Sequence, residues 1–223
     1  MALPGDITRT DPALIDDSNS SYVMQQVMEG LVALKPGTTS EVVPALATEW
    51  DISADGLTYT FTLREGVKFH DGTDFNADAV KINYERWRNF PPELQDYSYY
   101  AGAVFGGYGD TSNIASVDVM SPTLVAIHLN SPSSSFLIAQ TLTVFSLSSP
   151  KALADGKADN SELDVSKITY AQGGPTAMVG TGPFKYKEWV VGDHVTIEKN
   201  ADYWNPDGAA YLDEIVFKPV AEE

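Results

Sequence analysis

The sequence predicts an α+β fold in which helices and strands are mixed. Segments with strand character outnumber those with helical periodicity, and the two kinds are interleaved without the regular alternation of a doubly wound sheet. The chain has 223 residues, 43% of them hydrophobic, which is enough for a substantial core in one large domain or two small ones. An α+β or mixed α/β architecture is therefore expected, and a dinucleotide-binding fold is not.

The first predicted helix covers residues 17–31. Asp17 or Ser18 is a suitable N-cap, and apolar residues recur at four-residue spacing from Val23 onward. Gly30 suits a left-handed position at the C-terminal end. The pattern predicts an amphipathic helix that packs one face on the core.

The clearest strand is predicted at residues 58–63, where threonines alternate with large apolar residues after the turn signal of Asp55 and Gly56. A second helix is predicted after Asn76, a good N-cap. Its apolar residues step by three, four and three positions between Ala77 and Trp87.

The remaining elements are predicted from turn residues and alternation. Residues 89–113 are rich in Pro, Gly and Tyr and are expected to form a long loop, and residues 133–142 a short helix. Strand segments are expected at 114–120, 123–129, 184–190, 194–199 and 212–220. The polar, Gly-rich stretch 154–182 is the best internal boundary.

Composition excludes several classes of function. Lys and Arg number 14 against 31 Asp and Glu, for a formal net charge of -17, so nucleic acid and anionic lipid surfaces are not expected partners. This charge serves solubility or, alternatively, attracts cationic solutes. The absence of cysteine excludes thiol catalysis, zinc–thiolate sites and disulfides.

Segments that would target or anchor the chain are not evident. No apolar run approaches the roughly 18 residues of a membrane span. The first residues, Met1 to Asp6, have neither a basic n-region nor an apolar h-region. An exported protein with this sequence is expected to have lost its signal peptide.

The histidines are expected to be structural. None of His70, His128 and His194 lies four residues from another or in a His-Glu-x-x-His pattern. The His70 ring is expected to fix the turn around it through a hydrogen bond. No metal site, cofactor or catalytic group is predicted.

Two further motifs also favour structural roles. The sequence from Gly180 to Gly182 is too short for a nucleotide fingerprint, so a close backbone approach before a strand is expected. Adjacent Asp16 and Asp17 are expected to cap a helix and not to work as an acid–base pair.

Aromatic residues crowd one Gly-rich loop. Tyr97, Tyr99, Tyr100, Phe105 and Tyr108 either pack onto their own domain or form a wall of a solute cleft, since tyrosine combines an apolar face with a hydrogen-bonding tip.

Longer motifs resemble one known family. They are Pro-Ala-Leu-Ala-Thr-Glu-Trp at 44–50, Asp-Gly-Leu-Thr-Tyr-Thr-Phe-Thr-Leu-Arg at 55–64, Glu-Gly-Val-Lys-Phe-His-Asp-Gly at 65–72 and Asn-Ala-Asp-Ala-Val at 76–80. Residues 10–12, 29–31, 180–184 and 198–204 agree in order and spacing. Across essentially its whole length the chain resembles the family 5 bacterial extracellular solute-binding proteins, the peptide- and nickel-binding receptors of ABC importers.

The resemblance implies a class II periplasmic binding protein-like fold, of which this chain is the N-terminal lobe only. In that fold two lobes joined by a hinge close on a solute. Residues 1–31 and 165–223 are expected to form the cleft-side sheet subdomain, and 32–164 an inserted outer subdomain. Because family members are longer, the sequence is expected to be a fragment without the second lobe.

The resemblance also implies where a ligand lies. In peptide-binding relatives, the loop before the first helix offers backbone groups to the ligand, and the helix N-terminus there is expected to favour a carboxylate. The matching positions are Asp16, Asp17, Ser18 and Asn19. An aromatic cleft contact of a relative falls near Tyr97, Tyr99 and Tyr100.

The implied function is that of a non-enzymatic receptor. It would be a monomer in the periplasm or at the cell surface, binding a peptide and delivering it to the permease subunits of an ABC transporter. Contact with a membrane is expected only through a lipid anchor outside this sequence. The alternatives are a receptor for nickel chelates, oligosaccharides or another small solute, a hydrolase, and a structural envelope protein.

Overall fold

The computed structural model describes residues 1–160, 162 and 164–220. In this part of the chain, α-helices cover α1 Ser18–Met24, α2 Ala77–Arg88, α3 Pro92–Gln95, α4 Tyr99–Phe105, α5 Phe136–Ala139 and α6 Pro150–Asp155. Strands cover β1 Ala2–Leu3, β2 Val32–Leu34, β3 Val42–Pro44, β4 Ala47–Ile52, β5 Thr58–Leu63, β6 Ile114–Ser121, β7 Leu124–Leu129, β8 Phe184–Val190, β9 His194–Lys199 and β10 Glu214–Pro219. The predicted α+β class is confirmed.

One four-stranded sheet joins the two ends of the described chain. Its order is β1-β10-β9-β8, with β1 parallel to β10 and the other pairs antiparallel. The β8–β9 hairpin was predicted from its turn, which contains Gly192 with a positive φ of 77°. Strand β1 could not be predicted, because two residues carry no periodicity.

A second four-stranded sheet uses the middle of the chain. Its order is β4-β5-β7-β6 and every neighbour is antiparallel. The predicted alternation in β5 is confirmed, since Tyr59, Phe61 and Leu63 are buried and the threonines between them are half-buried. A separate hairpin pairs β2 with β3. The division at residues 32 and 164 stays a prediction.

Helix α2 begins where the sequence indicated. The Asn76 side chain accepts a hydrogen bond from the Ala79 amide at 3.0 Å, and Val80, Tyr84 and Trp87 are buried. The Trp87 ring packs edge-on against Phe145 at 5.2 Å. Burial of this face anchors α2 to the core.

Helix α1 is shorter than predicted. It ends at Met24, because the carbonyls of Gln26 and Val27 accept hydrogen bonds from the distant amides of Phe184 (3.1 Å) and Gly182 (3.0 Å). The left-handed conformation predicted for Gly30 is wrong. Gly30 instead lies at a close approach, since a Cβ there would lie 3.1 Å from the Gln140 carbonyl oxygen.

Two other predictions also needed correction. The segment 89–113, predicted as a loop, contains α3 and α4, which are too short to show a clear period. The helix predicted at 133–142 is reduced to the four residues of α5. Among the described residues, no helix has both the length and the apolar character needed to cross a bilayer.

The chain passes twice through one crowded region, first near Val27 and again at residues 180–182. A Cβ on Gly180 would lie 2.5 Å from the Val27 carbonyl oxygen, and one on Gly182 would lie 2.7 Å from it. The predicted close approach is therefore confirmed. The His70 ring bonds through Nε2 to the Gly182 carbonyl at 3.0 Å, so this imidazole ties its turn to the second passage.

A half-buried carboxylate holds the same region together. Glu29 accepts hydrogen bonds from Thr181 (2.7 Å), Tyr203 (2.6 Å) and Trp204 (2.7 Å). Arg64 lies over the Trp204 ring at 4.5 Å. Burial raises the pKa of Glu29, and these hydrogen bonds oppose that rise.

Candidate functional site

A half-open cavity of about 310 Å³ lies beside the N-terminal end of α1. Its lining comes from the segment that enters α1, from α1 itself, from β2, from α4 and from the segment after α5. The lining residues are Ile15, Asp16, Asp17, Ser18, Ser21, Tyr22, Gln25, Leu34, Tyr100, Thr141, Leu142, Thr143 and Val144.

The start of α1 is fixed by Asp17. One carboxylate oxygen accepts from the Ser20 amide at 2.8 Å, and the other accepts from the Thr8 hydroxyl at 2.6 Å. The predicted capping role of Asp17 is confirmed. This carboxylate occupies the Ser20 amide of the first turn, and a ligand carboxylate at this helix end stays a prediction.

The chain that enters α1 has backbone groups without hydrogen-bond partners beside the cavity. Ile15 and Asp17 have extended backbones, with φ and ψ of -94° and 145° for Ile15 and -115° and 153° for Asp17. Within the described residues, neither the amide nor the carbonyl of Ile15 and Asp16 takes part in a hydrogen bond. Such backbone groups can pair with the main chain of an extended ligand.

A hydroxyl network forms the floor of the cavity. Ser21 donates to Thr143 at 3.0 Å, and the Gln25 amide donates to the same Thr143 oxygen at 3.2 Å. These bonds join α1 to the segment after α5 and fix the width of the cavity. The polar floor leaves further lone pairs and protons for a ligand.

Exposed apolar side chains surround the opening. Tyr22 is 51% exposed, Leu34 is 38% exposed and Leu142 is 41% exposed. Tyr100 faces them from α4 and packs edge-on against Tyr99 at 5.4 Å. Large apolar groups around a polar floor are typical of a small-molecule site.

The structure brings together four of the seven site residues predicted from the sequence. Asp16, Asp17, Ser18 and Tyr100 line the cavity. Asn19 turns away, with its side-chain amide 3.4 Å from the Asp6 carbonyl.

The other two predicted tyrosines are not lining residues. Tyr97 carries the Arg9 guanidinium on its ring at 4.6 Å and packs on the core, and Tyr99 is 65% exposed beside Tyr100. The packing interpretation is confirmed for Tyr97, and the cleft-wall interpretation stays a prediction for Tyr100. Whether any of the seven contacts a ligand stays a prediction.

Sequence reasoning missed the second wall, formed by residues 141–144. The predicted helix 133–142 included residues 141 and 142, and no motif identifies residues 143 and 144 as part of a site. The only signal was the hydroxyl-rich run that contains Thr141 and Thr143, which is common in loops.

A larger but shallower cavity of about 490 Å³ lies between α2 and α6. Two of its charged side chains are already paired: Arg86 bonds to Asp159 at 2.6 Å and to Asp11 at 2.6 Å. The cavity beside α1 is the better candidate, because it brings together four of the residues predicted from the sequence.

The histidines lie outside the cavity. His128 contacts Thr58 and Asp118, and His194 contacts Asp193 and Glu188. Burial lowers the pKa of His70 to about 4, which keeps its ring neutral. Across the described residues, no three His, Asp or Glu side chains gather as a metal site requires.

Comparisons with known proteins agree on one family. Residues 41–223 match the model described as "Bacterial extracellular solute-binding proteins, family 5 Middle". The glutathione-binding protein GsiB of Escherichia coli strain K12 is 35% identical over 222 residues, which cover 100% of this chain and 38% of GsiB. The chain thus spans less than half the length of the curated relatives it matches.

Solved structures share the fold. The periplasmic binding protein DppA from Helicobacter pylori, in complex with the peptide STSA, superposes with a TM-score of 0.80 at 33% identity, covering 98% of this chain and 42% of DppA. NikA from Brucella suis, in complex with Fe(III)-EDTA, gives a TM-score of 0.76 at 26% identity, covering 99% of this chain and 39% of NikA.

The family match covers most of the chain, and the identity to GsiB extends over all of it. The structural likeness adds that the mixed sheets described above are those of periplasmic binding proteins. The chain therefore belongs to the bacterial extracellular solute-binding proteins of family 5.

Proposed function

We propose that this chain is the lobe of an ABC-importer receptor that holds a peptide in the cavity beside α1. The observation that carries the proposal is the backbone of Ile15 and Asp16, which has no hydrogen-bond partner among the described residues and lies next to a cavity with a polar floor. A peptide can add to such a segment through main-chain hydrogen bonds, while its side chains enter the cavity.

The relatives support this substrate class. GsiB is named for glutathione, a tripeptide, and DppA was solved with a peptide. Because the chain covers 38% of GsiB, we propose that a second lobe closes over the open side of the cavity. Delivery to permease subunits, export to the periplasm or cell surface, attachment by a lipid anchor and a monomeric state belong to the same proposal.

A metal chelate is the second candidate ligand, favoured by the likeness to NikA with its bound Fe(III)-EDTA. No histidine lines the described cavity wall, so a chelate would be held through its organic part or through the Asp16 carboxylate. A hydrolase is disfavoured, because the hydroxyls of Ser18, Ser21 and Thr143 have no imidazole or ammonium base among the described lining residues.

The proposal is tested by calorimetric titration of the chain with tri-alanine, glutathione and a Ni(II)–histidine chelate. We expect saturable binding of a peptide at one site per chain, and mass spectrometry should return that peptide unaltered. Tyr100→Ala should weaken binding at least about tenfold, because it removes one wall of the cavity.

The matched control is Tyr211→Ala, which removes a tyrosine that is 98% exposed and outside the cavity. It should leave the affinity unchanged. If the nickel chelate binds and no peptide does, the proposed ligand becomes a metal complex. Cleavage of a peptide would refute the receptor role.

A further inference from the structure

We propose that the cavity beside α1 selects peptides that bring a cationic group to Asp16 and discriminates against peptides that bring a carboxylate there. This inference rests on the proposed function and names the charge class of its substrates.

The lining carries charge of one sign. Asp16 and Asp17 are its charged members, and no lysine, arginine or histidine lies among the described residues that form it. The whole chain adds a formal net charge of -17, which raises the local concentration of cations around an acidic opening.

The Asp16 and Asp17 carboxylates differ in how much hydrogen-bonding capacity is free for a ligand. Both oxygens of Asp17 are occupied, by the Ser20 amide and the Thr8 hydroxyl. Asp16 is exposed, and none of the described residues donates a hydrogen bond to its side chain. Asp16 is therefore the lining carboxylate with its hydrogen-bonding capacity open to a ligand.

The basic side chains close in sequence to the lining residues are bound to partners outside the cavity. Arg9 donates to the Leu14 carbonyl at 3.1 Å and lies on the Tyr97 ring. Lys35, next to Leu34, is paired with Glu41 at 2.7 Å. Neither is placed to neutralise a ligand carboxylate inside the cavity.

The apolar rim suits the rest of a cationic side chain. Tyr22 and Tyr100 present aromatic rings on which an ammonium or guanidinium group can lie. Leu34 and Leu142 can cover the aliphatic stem of such a side chain. The combination fits a lysine or arginine side chain or the amino end of a peptide.

The test compares Ala-Lys-Ala, Ala-Gln-Ala and Ala-Glu-Ala by calorimetry at low salt. We expect the lysine peptide to bind about fivefold tighter than the glutamine peptide, and the glutamate peptide about fivefold weaker, as one partly exposed charge contact provides. Glutathione, which is anionic at neutral pH, should also bind more weakly than Ala-Lys-Ala.

The variant Asp16→Asn should remove most of the difference in affinity between the lysine and glutamate peptides. Asp51→Asn, at an exposed position in β4 outside the cavity, makes the same change in net charge and should preserve the difference. Thermal unfolding of both variants checks that they are folded.

The outcomes separate the two proposals. Binding of all three peptides with equal affinity, or in the reverse order, overturns the charge selection and leaves the receptor role standing. A difference that persists in Asp16→Asn overturns the role of this residue. Failure of every peptide to bind overturns both proposals.

Discussion

At the scale of single residues, the interior contains a tightly held cation, Arg86. The Arg86 side chain is 3% exposed and lies between Asp11, which is fully buried, and the partly exposed Asp159. The Phe90 ring adds a cation–π contact at 4.8 Å. Removing a single partner from such a group leaves a charge buried without compensation.

We predict that Arg86→Met lowers the free energy of unfolding by about 3–5 kcal/mol, because Asp11 then keeps a buried charge. Combining it with Asp11→Asn should recover part of the loss. As a control, Lys187→Met breaks an exposed pair with Glu214 and should cost less than about 1 kcal/mol. Urea denaturation measures all three, and equal costs for the two single variants would contradict the prediction.

The second residue-scale prediction concerns His70. Its pKa is lowered by burial to about 4, from 6.5. Between these two pH values the unfolded chain binds more protons than the folded one, so stability falls as pH falls through this window. A shift of this size corresponds to about 3 kcal/mol lost by pH 4. Asp71 and Lys185 are the charged groups that act on the ring, and they have opposite sign.

His70→Gln keeps a donor for the Gly182 carbonyl but does not titrate. The free energy of unfolding should therefore fall less steeply as pH falls, by a slope equivalent to up to one bound proton. His194→Gln is the control. The hydrogen bond to the Asp193 carboxylate raises the pKa of His194. Removing this imidazole should therefore make the free energy of unfolding fall more steeply as pH falls. Urea denaturation from pH 7 to 4 measures both slopes, and an unchanged slope in His70→Gln would show that this ring has the same pKa in the folded and unfolded chains.

At the scale of elements, the sequence was sufficient to predict those helices and strands that depend on residues close together in the chain. Asn76 capped α2, and the alternation of Tyr59, Phe61 and Leu63 placed β5, because both depend on near neighbours in sequence. The end of α1 was not predictable, because Gln26 and Val27 bond to residues far along the chain.

The same limit applies to the candidate site. The wall around Asp17 was predicted, whereas the wall around Thr143 was not, since only the folded chain brings that segment to Ser21 and Gln25. Tyr100 was separable from Tyr97 only by their contacts, because both belong to one aromatic run.

At this scale, Gly180 is predicted to be essential to the contact between the two passages of the chain. Gly180→Ala places a Cβ 2.5 Å from the Val27 carbonyl oxygen and should cost about 2–3 kcal/mol. Gly72→Ala is the control. Its Cβ meets open space, and only its positive φ of 82° is unfavourable, so it should cost about 1 kcal/mol. A smaller cost at Gly180 than at Gly72 would mean that the passages separate easily.

At the scale of the whole molecule, we propose the division that the sequence suggested, with residues 32–164 as an inserted unit. The second sheet, β4-β5-β7-β6, and the β2–β3 hairpin fall within these limits, and the first sheet falls outside them. Limited proteolysis should therefore cut within 154–180 before it cuts β5, whose backbone is paired on both sides. Early cleavage inside β5 would contradict this division.

The receptor role is tested most directly by mapping the bound peptide on the chain. Amide chemical shifts of the ¹⁵N-labelled 223-residue chain can be followed during titration with Ala-Lys-Ala. We predict that the largest changes fall on residues 15–18, 21 and 22, on Tyr100 and on residues 141–144, which line the cavity beside α1. Changes concentrated around Arg86 and α6, or no saturable change at all, would contradict the proposed site.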